Sequence, residues 1–197
     1  MIKIYMNESP IDVKLEEEQT IGDVLKSFEQ TCEENQATVI GITINNEQIR
    51  ADKFDEISSK PLTDDLCFNF TVVSVSMIKD AFLQLSDLFN TLSDKMAQVP
   101  VDLQSGKNNE VSIAIKEVAD SIDELCHFAS LATLFPETFK EAMIEGHSFK
   151  DFFTDFSPIL LDFEQAMQNN DTVLIGDLSE YEICPRLKAI SDALKTM

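Results

Sequence analysis

The chain has 197 residues, 44% of them apolar, with 36 acidic against 15 basic side chains and a net charge of −21. That length accommodates two small domains, and that apolar share argues against disorder. The charge repels nucleic acid and anionic lipid surfaces, and no apolar run approaches the ~20 residues that cross a bilayer.

Residues 1–6 alternate apolar and polar loosely, which predicts a half-buried strand. Asn7, Glu8, Ser9 and Pro10 are turn residues. Ile11, Val13 and Leu15 then stand two apart, so a second strand and a hairpin are expected. Thr20 is placed to cap a helix, and Ile21, Val24, Leu25 and Phe28 keep helical spacing through Cys32. Residues 38–44 are β-branched and apolar, a buried strand. Asn45 and Asn46 predict a turn, residues 47–50 a short return strand, and residues 66–75, rich in Phe and Val, a closing strand.

This ββαβ(β)β order, the Thr-capped helix after the first hairpin and the domain length resemble ubiquitin and the small sulfur-carrier proteins. The resemblance covers residues 1–75 and implies a ubiquitin-like β-grasp domain. Conjugating and sulfur-carrying members end in a Gly-Gly tail whose carboxylate is activated. Here Val72, Val73, Ser74, Val75 and Ser76 occupy that place, a long helix is expected next, and no Gly-Gly occurs in the chain. The expected role of this domain is therefore binding, through a sheet face or an edge.

From residue 76 the apolar period changes from 2 to about 3.5. Ile78, Phe82, Leu85, Phe89, Leu92 and Met96 are spaced 4-3-4-3-4, one seam on a helix that Pro100 is expected to stop. Residues 99–108 read as a loop. Val111, Ile115, Val118, Ile122, Leu125 and Ala129 repeat the same spacing. Pro136 opens a short helix over 137–144, which Glu145 and Gly146 end. Phe149, Phe153, Phe156, Leu160, Phe163 and Met167 form a third seam, with a kink expected at Pro158. Asn169, Asn170 and Asp171 predict a turn. A last helix covers 174–194, kinked or divided at Pro185. Together these predict an all-α up-down bundle over residues 76–197. Ten of the fourteen phenylalanines lie beyond residue 76; most are expected in the core, and a bundle so rich in aromatics can leave a groove for a partner helix.

Convergent chemistry is sparse. Glu124 and His127 share a helix face, as in carboxylate-bridged di-iron bundles, but such sites need a second motif and two further glutamates. The chain has two histidines, and the pair lies off the apolar seam beside Glu117 and Asp120, so a solvated face is expected. Cys126 and His127 are consecutive and diverge on a helix. The five glycines are isolated, which leaves no phosphate loop. Glu16, Glu17 and Glu18 form an acidic run of the kind that faces solvent. Cys32, Cys67, Cys126 and Cys184 are scattered without a C-x-x-C and read as reduced, mostly buried thiols.

The segment 170–187 carries Asp171, Val173, Leu174, Asp177, Leu178, Glu180, Tyr181, Glu182, Pro185 and Leu187. It resembles the ending of a group of helical bacterial proteins, some of them encoded near motility genes, in which the pattern D-x-V-L-x-x-D-L-x-E-Y-E-x-x-P-x-L recurs. The resemblance implies no activity. Asp177, Glu180 and Tyr181 stand three and four apart. They are expected either to anchor Tyr181 against the bundle by a hydrogen bond or to form a partner-binding patch.

These readings make an α+β protein with domains at 1–75 and 76–197, without catalytic residues, cofactor or metal. The start lacks a basic region followed by an apolar core, so a cytoplasmic location is expected. The expected function is a bacterial protein-binding or scaffold protein, whose bundle dimerises or holds a helical segment of a basic or helical partner, and which binds neither nucleic acid nor membrane. The alternatives are an acidic flagellar or secretion chaperone-like bundle, and a carboxylate-bridged metalloenzyme with Glu124 and His127 as ligands.

Overall fold

The computed structural model describes residues 2–15, 17–139 and 143–197; Glu16 of the acidic run and residues 140–142 of the expected short helix lie outside them. The protein is α+β, a mixed sheet followed by a mostly helical region. It divides into two compact units, Met1–Met77 and Ile78–Met197.

In the first unit five strands run in the order β2-β1-β5-β3-β4, with β1 (Lys3–Met6) parallel to β5 (Cys67–Ser74) and the other pairings antiparallel. The strands β2 (Ser9–Ile11) and β4 (Glu47–Gln48) are short edges, and β3 is Ala37–Ile44. The first hairpin is tighter than the sequence predicts. Asn7 and Glu8 both take positive φ, 50° and 67°, a two-residue turn, so Ser9 and Pro10 already belong to β2 and residues 12–15 do not continue it. Asn7 sets this geometry: its Nδ2 donates to the Val72 carbonyl (3.0 Å) and its Oδ1 accepts from the Val72 N–H (2.8 Å). The amide side chain thus extends the β1–β5 ladder and lets the backbone leave early. Asn45 and Asn46, at φ 51° and 65°, turn β3 into β4 as their residue types predict.

Helix α1 (Ile21–Glu34) starts at Thr20 in a full capping box. The Thr20 hydroxyl accepts from the Asp23 N–H (3.2 Å), and the Asp23 carboxylate accepts from the Thr20 N–H (2.8 Å). The Thr20 hydroxyl also donates to the Asp23 carboxylate (2.8 Å), and that bond first, then the N–H groups of Thr20 and Gln19, hold the Asp23 carboxyl below its ordinary range. Because that pKa is depressed, the box's contribution is fully present above the ordinary carboxylate range and is lost as pH falls below that range and through the lowered folded-state value. Ile21, Val24 and Leu25 of α1 pack with Ile4, Phe68, Phe70 and Val72 of the sheet. A short helical stretch that the sequence reading passes over, Ala51–Lys53 and then α2 (Phe54–Ser58), lies against α1. Gly22 permits this approach: a Cβ there would come within 3.0 Å of the Ser58 carbonyl oxygen.

The second unit is built on α3 (Val75–Gln104), α4 (Asn108–Ala132), α6 (Phe149–Gln168) and a composite last helix. Pro100 does not stop α3: the helix continues one more turn to Gln104, and the loop is only 105–107, closed by Gly106 at φ 74°. A proline removes one N–H and costs one hydrogen bond; it need not end a helix whose other positions are packed. Helix α6 runs through Pro158, which lies inside the helix as the sequence predicts. After α5 (Pro136–Phe139), Met143–Ile144 (β6) and His147–Ser148 (β7) form a small hairpin, so this unit is not wholly α. Glu145 and Gly146, at φ 51° and 80°, are its turn and not a helix stop.

The last helix comprises α7 (Thr172–Asp177), a π-helical turn (Leu178–Ile183) and α8 (Cys184–Leu194). The residue spacing explains the π turn. Ile175, Ser179, Ile183 and Leu187 are all buried and four apart, a longer period than the 3.6 of an α-helix, and a wider turn keeps them on one face. The pairing with α3 shows the same extra residue. Ser86 Oγ donates to the Ser191 carbonyl (2.9 Å), Ser93 Oγ donates to the Cys184 carbonyl (3.0 Å), and Gly176 faces Pro100. On α3 these markers are seven residues apart; on the last helix they are seven and then eight. Pro185 sits in the first turn of α8, just after the π turn, so the division predicted at this proline falls immediately before it.

Candidate functional site

Of the three apolar seams of the second unit, that of α3 is wholly buried, and those of α4 and α6 are only partly covered. On α4 the inward stripe is Val111, Ala114, Val118, Ser121 and Leu125, all buried. The small Ala114 and Ser121 occupy positions that a sequence seam built on large residues overlooks. Their burial turns Ile115 and Ile122, two residues of the predicted seam, to the edge, where both are half-buried. Helix α6 does the same. Phe152, Phe156, Phe163 and Ala166 pack inward, while Leu160 and Met167, seven apart, are half-buried.

These two edges face a common cavity of about 340 Å³. Ile115, Ala119 and Ile122 of α4 and Leu160 and Met167 of α6 form its walls. Its floor is Met96, Val118, Phe163 and Ile183. Glu164 is the sole charged side chain in the lining. A slot with such walls accepts apolar side chains.

Of the two expectations for Asp177, Glu180 and Tyr181, the anchoring of Tyr181 against the bundle is corrected. Tyr181 is 65% exposed and makes no hydrogen bond recorded among the described residues, so it is not docked against the bundle. With Ser179 and Ile183 facing inward, Tyr181, two residues from each, points outward. Asp177 and Glu180 are also exposed and border a shallow cavity of about 270 Å³ with Pro100, Leu103 and Thr172; Tyr181 is not among its walls. Arg186 reaches back to Glu182, donating to its carboxylate (2.6 Å) and to its main-chain carbonyl (2.9 Å). Tyr181→Phe is accordingly expected to change stability by less than about 0.5 kcal/mol in urea denaturation. Ser179 carries the opposite prediction. Its hydroxyl is fully buried with no partner among the described residues, so Ser179→Ala should leave stability unchanged or raise it by up to about 1 kcal/mol. A loss above that size would mean the hydroxyl is bonded.

Glu124 and His127 are exposed on α4, and among the described residues no three metal-ligating side chains come together. Of the cysteines only Cys32 is buried; Cys67 and Cys184 are intermediate and Cys126 is exposed, a correction to the expectation of mostly buried thiols. All four are free. Partial burial, and then the nearby Asp123, push the Cys126 thiol up, away from thiolate reactivity. Burial and then Glu29 do the same to Cys32. Cys32 borders a further apolar cavity of about 460 Å³ in the first unit, an opening of its own core walled by Ile4, Val24, Phe28 and Val72. None of the helices is long and apolar enough to cross a membrane among the described residues.

Fold and groove together define an α+β protein with a mixed five-stranded sheet and a helical unit that keeps an apolar slot open. The chain belongs to the family described as a domain of unknown function, DUF8042, which matches residues 80–193. Residues 2–74 match the family described as the TP0873 N-terminal domain. The chain is 25% identical over 194 residues to an uncharacterized protein of Treponema pallidum (strain Nichols), covering 98% of this chain and 96% of that relative. No solved structure matches significantly.

Proposed function

We propose that this is a non-catalytic protein-binding protein whose helical unit receives an apolar segment of a partner in the groove between α4 and α6. The observation that carries the reading is the pairing of two half-exposed apolar edges, Ile115–Ile122 and Leu160–Met167, across one open slot. Water-exposed apolar walls of this kind lower their free energy when another apolar surface covers them. A groove that runs along two helices fits an amphipathic helix. The exposed positions of Glu124 and His127 and the raised Cys126 and Cys32 thiols support a role other than catalysis. The strand order β2-β1-β5-β3-β4 with α1 packed on one face supports reading the first unit as a ubiquitin-like β-grasp module. Its edges β2 and β4 are only three and two residues long, too short to favour strand addition. A chaperone-like role toward a secreted or flagellar client is the narrower form of the same reading, with the client supplying the helix.

Site-specific photo-crosslinking in the native host tests this. A photoreactive residue at position 119, in the groove wall, is expected to capture a discrete partner, whereas one at position 124, on the solvated face of the same helix, captures none. Equal capture at both positions, or none at 119, would remove the groove from the function.

A further inference from the structure

We infer that the occupant of the α4–α6 groove is a basic amphipathic helix of another protein. This rests on the docking reading above and adds the chemistry of the ligand. The walls supply one half of the match. Ile115, Ala119 and Ile122 are spaced four and three apart on α4, and Leu160 and Met167 seven apart on α6. Two such ridges interdigitate with apolar side chains at i, i+3, i+4 and i+7 of a third helix.

Charge supplies the other half. Helices α4 and α6 together carry nine acidic and two basic side chains, a net −7. One of the two bases, Lys116, is tied to Asp120 at 2.7 Å. Lys95, which reaches α4 from α3, is tied to Glu117. In the groove lining the charged side chain is Glu164; Asp123, next to Ile122 on α4, is exposed outside that lining. An incoming helix with an apolar stripe flanked by Lys and Arg places its cations over these acids. A second copy of this chain would bring another −7 against the first, which like-charge repulsion opposes. The charge therefore selects a foreign, basic helix over self-association.

The test uses the full chain and three fluorescein-labelled peptides of equal length. The first has Leu at helical spacing with Lys and Arg on the other face, the second has the same Leu positions with Glu, and the third is the first one scrambled to abolish the stripe. Fluorescence anisotropy is expected to show the basic amphipathic peptide binding about tenfold or more tightly than either of the others, with an affinity that falls as salt rises. Methyl NMR should place its perturbations on Ile115, Ile122, Leu160 and Met167. Ala119→Trp, which fills the slot from a wall position, should weaken binding by about tenfold or more, with an unchanged melting curve showing that the variant folds. Glu164→Lys, which leaves the apolar walls in place, should weaken the basic peptide and strengthen the acidic one.

If the acidic peptide binds the groove as well as the basic one, this inference falls and the docking reading stands. Binding of the scrambled peptide equal to that of the first would also overturn the inference, because charge alone would be acting. If neither amphipathic peptide binds, or if Ala119→Trp leaves their binding intact, both readings fall. Light scattering that shows a dimer of the parent chain and a monomer of Ala119→Trp would assign the groove to a second copy and overturn the inference.

Discussion

Phe156→Ala is expected to destabilise the helical unit by about 3–5 kcal/mol. Phe156 is wholly buried on α6. Its ring lies edge-on to Phe152, with centroids 5.9 Å apart, and the Arg186 guanidinium stands 5.9 Å from its centroid. It therefore links α6 to α8 by the Arg186 cation over its ring. Removing the ring loses the transfer energy of its carbons and leaves a cavity that two packed helices cannot fully close. It also leaves Arg186 without its aromatic partner, although the ion pair with Glu182 persists. Phe156→Leu should recover most of the loss, because it restores volume but not the ring. Urea unfolding followed by far-UV circular dichroism measures both. A loss below about 1 kcal/mol for Phe156→Ala would contradict the burial of this side chain.

Phe70→Ala is expected to cost the first unit a similar amount, about 3–5 kcal/mol. Phe70 is fully buried on β5, the strand between β1 and β3. It stacks on Phe28 of α1, with centroids 3.9 Å apart and planes 12° from parallel, and lies 6.0 Å from Phe68 along its own strand. The ring thus joins helix to sheet, and its loss affects both layers. The chain has no tryptophan and two tyrosines, Tyr5 in the first unit and Tyr181 in the second. In a Tyr181→Phe background the fluorescence of Tyr5, on β1 beside β5, reports the first unit alone. Phe70→Ala should move that transition to lower urea, whereas Phe156→Ala should move it far less. Identical shifts for the two variants would mean that the units unfold as one.

The contrast between Tyr181 and Ile122 shows where sequence reasoning stops. Both follow from spacing: Tyr181 stands four residues from Asp177 and next to Glu180, and Ile122 lies within an unbroken apolar seam. The structure reverses their places, leaving Tyr181 in solvent and opening Ile122 onto a groove. An assumed 3.6-residue period fails at residues 178–183, because the buried positions there recur every four residues and the backbone widens to follow them. The signal was present in Ile175, Ser179, Ile183 and Leu187, but a serine in that row conceals it. Ala114 and Ser121 conceal the rotation of α4 in the same way: small residues at heptad spacing mark the side that packs inward, and large apolar residues draw attention away from it. Of the candidate site, the residues Ile115, Ile122, Leu160 and Met167 were legible as apolar. That they face one open slot was not, since periodicity says which positions share a face and nothing about what covers it.

The amino-acid sequence by itself determined the local elements whose causes are local. Thr20 and Asp23 start α1 because both capping partners lie within one turn. Asn45 and Asn46 turn the chain because asparagine tolerates positive φ. The change of period after residue 75 separates sheet from helices because strand and helix repeat differently along one chain. Tertiary structure decided whatever depended on contacts distant in sequence. The Asn7 amide ends the first turn early by bonding Val72, 65 residues away. Pro100 and Pro158 remain inside helices because packing outweighs one lost hydrogen bond each. Glu145 and Gly146 close a hairpin where a helix end was expected. The groove exists because three helices bury their small and aromatic residues and leave half of two apolar seams without a neighbour.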